Sequence, residues 1–219
     1  AVLQRVILFM RQNLMTKIYL DMDGVLFDFD REISRRGLVR DPDSRLTKQN
    51  VHKSQWTEDE KEFDLQLQIM MSEPGFFRNL PLMDGADKLW TVVPKPYVLT
   101  ARPKNPESAH RVRQEKRDSL EEHFGQVSDD RFICCLRSEK KKYATSRTTD
   151  SYFKIEPEII NGISWGPNLV VRTLEKSNIL VDDLEWNCSE WEKAGGIAIH
   201  FQSTEQAIED LKKVVNATN

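Results

Sequence analysis

Lys17-Ile18-Tyr19-Leu20-Asp21-Met22-Asp23-Gly24-Val25 decides the reading of this chain. Its first four residues read as a short buried strand, and two carboxylates one residue apart stand at the end of it. Side chains alternate faces along a strand, so Asp21 and Asp23 share a side if the strand continues. Gly24 then permits a tight turn. Two acids held so close need a cation, a shared proton or strong hydrogen bonding. One reading is a Mg²⁺ site with a carboxylate nucleophile; the plainer one is an acidic loop after a strand.

The rest of the chain repeats the pattern. Tyr97–Thr100, Arg131–Leu136, Ile179–Asp182 and Ile197–Phe201 are further apolar strand candidates alternating with helix-like segments. Such alternation predicts parallel βα units. The fold class is therefore α/β, a Rossmann-like three-layer core around a parallel sheet. Three strands end in reactive residues, namely Asp21, Thr100 and Asp182. In open α/β sheets the ligand crevice lies at the carboxyl ends of the strands, so these residues are placed to converge. Asn105-Pro106 predicts a helix start and Gly125 its end. That helix has a thin apolar stripe and is expected to cover the sheet edge. Helices are also expected over Glu185 to Lys193 and Ser203 to Val215, with Trp186 and Trp191 packing the former onto the sheet.

Residues 29–95 are too many for a simple crossover. Thr57-Glu58-Asp59-Glu60 opens a helix with Phe63, Leu67 and Met70-Met71 on its apolar face, and Pro74-Gly75 breaks it. The segment reads as a small, mainly helical cap inserted after the first strand, able to close on a substrate and exclude water. The core then comprises residues 15–28 and 96–219. Within it, residues 144–177 are an unusual insertion whose apolar content suggests order. Residues 1–14, ahead of Met15, read as an extension dispensable for activity.

At 219 residues, 39% apolar and 31% charged, the chain suits a globular core with a modest insert. Its formal net charge of −3 supplies no basic field to recruit nucleic acid. Cys134, Cys135 and Cys188 lack CxxC spacing, which fits a reducing cytosol and a cytoplasmic location. No run of 18 apolar residues predicts a transmembrane helix. His52, His110, His123 and His200 have no mutual metal spacing. Arg111, Arg113, Lys116 and Arg117 crowd one helix and read as a solvated face.

The strand-end residues suit attack on a phosphomonoester. Asp21 is the nucleophile, which must be ionised and held near phosphorus. Asp23 is the second carboxylate that gives a proton to the leaving oxygen and takes one from water. Charge on the phosphoryl oxygens needs a cation, a hydroxyl and an ammonium. Mg²⁺ is expected on Asp21, the backbone carbonyl of Asp23, and a carboxylate of Asp182-Asp183. Thr100 offers the hydroxyl, and a lysine near the third strand the ammonium.

This set resembles the haloacid dehalogenase-like phosphohydrolase superfamily. The likeness runs through Asp21-Met22-Asp23-Gly24-Val25, Val98-Leu99-Thr100, a lysine in Glu139-Lys140-Lys141-Lys142, and Ile179-Leu180-Val181-Asp182-Asp183. Two stretches narrow it: Asp21 through Phe29, and Glu73-Pro-Gly-Phe-Phe-Arg-Asn-Leu-Pro-Leu-Met-Asp-Gly-Ala86. Both are similar to the 5′(3′)-deoxyribonucleotidases. The resemblance implies a Mg²⁺-dependent phosphatase whose small-molecule substrate is a phosphate ester, a deoxynucleoside monophosphate above others. It places Lys140 in the acid-lysine order, with Lys141, Lys142 and Lys176 as rivals. It puts Phe29 against the nucleobase, with Trp56, Phe76 and Phe77 as the nearest cap aromatics. Base stacking on such faces contributes about 1–3 kcal/mol in single-strand binders. Ala101 stands where the family often has a hydroxyl residue, and Arg102 is the candidate to replace that phosphate contact. A sugar phosphate, a nucleic-acid phosphate end, or nucleotide binding without catalysis are the rival readings; a homodimer is compatible with all of them.

Overall fold

The structure is a computed structural model that describes residues 16–41, 51–154, 159–160, 163–164 and 168–218, with only the backbone for 147–175 and 216–218. The expected extension 1–14 lies outside the described residues.

Five parallel strands form the central sheet: β1 (Ile18–Leu20), β2 (Tyr97–Ala101), β3 (Phe132–Cys135), β8 (Ile179–Asp182) and β9 (Ile197–His200). Their spatial order is β3-β2-β1-β8-β9. Each arises from one of the apolar runs, because a strand buried on both faces needs no polar alternation. The two faces divide cleanly. Leu20, Val98, Phe132, Val181 and Ile199 join one buried cluster. Tyr19, Leu99, Cys135 and Leu180 join the other. The first face packs against α4 (Pro106–Phe124) through Val112 and Leu120, and against α6 (Thr204–Thr218) through Ala207 and Leu211. The second packs against α5 (Glu185–Lys193) through the fully buried Trp191. Helices on both faces make the three layers expected of the fold class.

α4 begins where Asn105 Oδ1 accepts from the backbone N–H groups of Glu107 and Ser108, and it ends at Gly125. It lies on the sheet face rather than covering the edge. Its buried residues are Ala109, Val112, Lys116, Ser119 and Leu120, at helical spacing. One of these is a lysine, which thins the apolar stripe.

Between β1 and β2 lie α1 (Phe29–Arg35), a short 3₁₀ turn (Lys53–Gln55), α2 (Glu58–Ser72) and α3 (Ala86–Val92). Thr57 and Glu60 close a capping box at the start of α2. α3 packs against α6, and its Leu89 belongs to the same buried cluster as Leu20. Phe29, Phe76 and Phe77 belong to that cluster too.

A second 3₁₀ turn (Arg137–Tyr143) follows β3. The chain then departs into β4 (Thr145–Lys154) and returns along β7 (Asn168–Ser177), antiparallel over ten residues each. The two-residue strands β5 (Ile159–Ile160) and β6 (Ile163–Ser164) pair between them. β4 and β7 form a sheet separate from the central one. The departure and return points are tied together by buried Asn178. Its N–H donates to Ala144 O at 2.8 Å and its Nδ2 to Tyr143 O at 2.8 Å. Its Oδ1 accepts from Lys17 N, and its backbone carbonyl accepts from Trp191 Nε1 at 3.1 Å. The insertion therefore leaves and rejoins the core at one place. No helix among the described residues is long and apolar enough to cross a membrane.

Ser146 and Lys176 are partners across the β4–β7 ladder, close enough for a two-residue hairpin turn to connect them. Replacing residues 147–175 with Asn-Gly is expected to preserve cooperative thermal unfolding and the far-ultraviolet circular dichroism of the α/β core. Loss of cooperative unfolding in that variant would show that the hairpin is part of the folding unit.

Candidate active site

The carboxyl ends of β1, β2 and β8 meet. Strand pairing ceases after Leu20, and the chain turns immediately: Phe27 N and Leu26 N both donate to Met22 O, and Gly24 N donates to Phe27 O. Gly24 has φ +86°, a conformation costly for residues with a Cβ. A Cβ there would also lie 2.4 Å from Asp183 Oδ2. The turn needs glycine twice over, for its backbone and for the close approach of Asp183.

Asp21, Asp182 and Asp183 each offer a carboxylate oxygen within 4.8 Å of the others. Lys140, from the 3₁₀ turn after β3, bridges two of them: its Nζ donates to Asp21 Oδ2 at 2.6 Å and to Asp182 Oδ2 at 2.7 Å. The ammonium and both acids are buried. Burial works against the charge on Lys140, but Asp182 and Asp21 outweigh it and raise its pKa. Asp21 is pushed well above the usual carboxylate range, first by burial and then by Asp182, Asp183 and Asp23, with Lys140 opposing. Burial and the charge of Asp182 push Asp183 up to about 7, against the pull of Arg40 and Lys140. Arg40 Nη1 stands 3.4 Å from Asp183 Oδ2.

Asp182 accepts three hydrogen bonds and keeps one lone pair of Oδ2 free. Its Oδ1 accepts from Leu184 N at 3.0 Å and Asn187 Nδ2 at 2.8 Å, while its Oδ2 takes Lys140. Three carboxylates meet beside Lys140 and Arg40. An all-oxygen donor set of this kind suits a hard divalent cation. Asp21, whose Oδ1 also accepts from Met22 N at 2.7 Å, Asp182 and Asp183 together could hold it.

Asp23 stands in a different environment. Lys116 Nζ donates to Asp23 Oδ2 at 2.5 Å, to Thr100 Oγ1 at 2.8 Å and to Ala101 O at 2.9 Å. An ammonium has three donors and no acceptor, so Lys116 is saturated and Thr100 accepts from it. The Thr100 hydroxyl proton is thereby left to be donated elsewhere. Asp23 Oδ1 is buried with no hydrogen-bond partner among the described residues. Lys116 itself is 1% exposed and also lies over the Phe77 ring, 4.6 Å from its centroid.

This overturns the reading of Arg111, Arg113, Lys116 and Arg117 as one solvated face. Lys116 is buried at the site, Arg111 grips Met71 O and Glu73 O, and Arg117 donates to Val127 O at 2.6 Å. The available signal was spacing: Ala109, Val112, Lys116 and Ser119-Leu120 follow one helix face.

Among the rival lysines, Lys141 pairs with Glu190 and Lys142 with Glu139, while Lys176 is exposed. Ala101 ends β2 and Arg102 follows it, with Arg102 N donating to Cys135 O at 2.9 Å and Arg102 Nη1 to Pro103 O. Phe29, Phe76 and Phe77 are buried and meet edge to face, with centroids 5.7 Å and 5.0 Å apart in turn. Arg40 lies over Phe29 and Arg36 over Phe76. Trp56 is half-buried, with Nε1 donating to Val51 O. A cleft of about 440 Å³ opens beside Asp183, bordered by Gly24, Asp28, Asp30, Arg40 and His200 among others. The three thiols are buried and unpaired, and burial raises the pKa of each.

The chain matches no protein-family model and no curated protein. Among solved structures, a hydrolase from Streptococcus pneumoniae TIGR4 is similar over 92% of this chain and 98% of its own, at 13% identity and a TM-score of 0.37. That likeness is too distant to bear on activity.

The carboxylate cluster makes stability depend on pH. A carboxyl whose folded pKa is raised stabilises the fold while protonated, and that contribution is lost as pH rises through the folded value. For Asp183 the loss runs from about pH 4 in the unfolded chain to about 7 in the folded one. Without a metal, the melting temperature is expected to fall across this range. Added Mg²⁺ competes with the proton, so its stabilising effect should grow from pH 5.5 to 8 and shrink in Asp183→Asn. Differential scanning fluorimetry with and without Mg²⁺ measures both trends; an Mg²⁺ effect that ignores pH would contradict the assignment.

Proposed function

We propose that this protein is a Mg²⁺-dependent phosphomonoesterase working through an aspartyl-phosphate, with deoxynucleoside 5′-monophosphates as its preferred substrates. The observation that carries the proposal is the division of labour at the strand ends. Lys140 joins Asp21 to Asp182, while Lys116 joins Asp23 to Thr100. Two neighbouring carboxylates in separate environments can take separate roles.

Asp21 attacks phosphorus, forming a new O–P bond as the bond to the ester oxygen breaks. Asp23 delivers a proton to that leaving oxygen and then accepts one from the water that cleaves the aspartyl-phosphate. The water oxygen goes to inorganic phosphate and Asp21 is restored. Lys140 and the Thr100 hydroxyl offset charge on the phosphoryl oxygens, where donors aimed at developing charge contribute most. Held by the Asp21, Asp182 and Asp183 cluster, Mg²⁺ would supply further neutralisation of that charge and of the acids themselves. The nucleobase part of the proposal rests on the sequence resemblance; Phe29, Phe76 and Phe77 are its nearest aromatic candidates and are packed against one another in the core.

A second reading has its own support. The aromatic rings are buried against one another, whereas the open cleft beside Asp183 is bordered by Asp28, Asp30, Arg40 and His200. A polar cleft of that kind favours a hydroxyl-rich leaving group, as in a sugar phosphate.

Phosphate release from a panel of deoxynucleoside, ribonucleoside and sugar monophosphates, with Mg²⁺ or EDTA, tests both readings. Turnover of dUMP or dTMP above the sugar phosphates is expected, and the reverse order would favour the second reading. Asp21→Asn is expected to lower kcat by more than about a thousandfold, as for loss of a covalent nucleophile. Full activity in that variant would sink the mechanism.

A further inference from the structure

The helix that carries Lys116 also grips the cap. Five residues earlier, Arg111 donates from Nη2 to Met71 O at 3.0 Å and from Nη1 to Glu73 O at 2.9 Å. These carbonyls lie at the C-terminal end of α2, where helix carbonyls lack internal partners. Arg111 Nη1 also reaches Glu115 Oε1 at 2.8 Å, an i,i+4 pair on α4. Glu115 in turn accepts from the next stretch of the cap: Gly75 N at 2.9 Å on Oε1 and Phe77 N at 3.2 Å on Oε2. Two adjacent charged side chains thus bind four backbone groups of the cap exit, two carbonyls and two N–H groups.

The next residue after Glu115 is Lys116, which touches Asp23, Thr100 and the Phe77 ring. The Phe77 backbone is held by Glu115 while its ring lies over Lys116. Surface pairs of the same helix differ: Arg78 meets Asp118 and Glu122 with all three side chains more than a third exposed. Such exposed pairs contribute little. The Arg111–Glu115 pair is more enclosed and reads backbone, so substitution within the cap loop would leave its contacts in place.

We propose that Arg111 and Glu115 are positioning residues that seat Phe77 against Lys116 and so set how the cap side of the site receives the leaving group. This rests on the phosphomonoesterase reading. Asp21, Asp23 and Lys140 do the chemistry; the pair acts on the part of the substrate beyond the phosphate. A substrate with almost no leaving group would not sense it.

Glu115→Gln keeps size and one acceptor but loses the charge and cannot accept from both N–H groups. Arg111→Met removes the carbonyl contacts while keeping the aliphatic stem. Hydrogen exchange followed by mass spectrometry is expected to show faster exchange over Gly75–Phe77 in both variants, with the central strands unchanged. In the same preparations KM for dUMP is expected to rise about tenfold, the order expected for one hydrogen bond to a charged group. The kcat for dUMP, and both constants for acetyl phosphate, should stay near wild type. Arg78→Ala serves as the surface control and should move none of these readouts. Unchanged exchange at Gly75–Phe77 would overturn the dock itself. Faster exchange with equal losses on dUMP and acetyl phosphate, or with no loss on either, would overturn the positioning role. Wild-type protein that releases phosphate from neither compound would instead defeat the phosphomonoesterase reading, and the positioning role with it, while leaving the exchange result to judge the dock.

Discussion

The buried ammonium of Lys140 between Asp21 and Asp182 is the contact around which the structure is arranged. Each partner comes from a different element: the end of β1, the end of β8 and the 3₁₀ turn after β3. Removing one member of such a group typically costs about 3–5 kcal/mol because the remaining charge is left buried and unpaired. The three segments therefore have to arrive together. The parallel register of β1 with β8, pairing Leu20 with Val181, brings the two acids level. Asn178 and Trp191 hold the segment just before β8 against the turn that carries Lys140.

Most of the core was legible because its signals are local. A strand buried on both faces is a short apolar run, and each of the five runs became a strand of the sheet. Asp21, Thr100 and Asp182 could be placed at strand ends by counting along the chain. The distance between Lys140 and Asp182 was not legible in this way. Forty-two positions separate them in sequence, yet their side chains are 2.7 Å apart. Sequence separation measures loop length, and a hairpin that leaves and returns beside Asn178 adds residues without adding distance.

Lys116 shows a second kind of illegibility. Charged residues flank it on both sides, and average composition assigns such a helix to solvent. Its burial depends on three acceptors that converge from β1 and β2: Asp23 Oδ2, Thr100 Oγ1 and Ala101 O. No local pattern in α4 encodes those partners. The same limit applies to Phe29, Phe76 and Phe77. Aromatic identity shows that a ring contributes apolar surface, and tertiary packing decides whether that surface faces a ligand or another ring.

The alternation rule placed Asp21 and Asp23 on one side of a continuing strand, which would set two acids against each other. The chain avoids this by leaving the strand at Leu20 and turning at Gly24, where positive φ and the proximity of Asp183 both require the missing side chain. The turn sends each acid to its own lysine. Asp21 goes to Lys140 and the Asp182-Asp183 cluster, and Asp23 goes to Lys116 and Thr100. The glycine thus does more than permit a bend. By separating the environments of two carboxylates one residue apart, it makes distinct chemical roles for them physically possible.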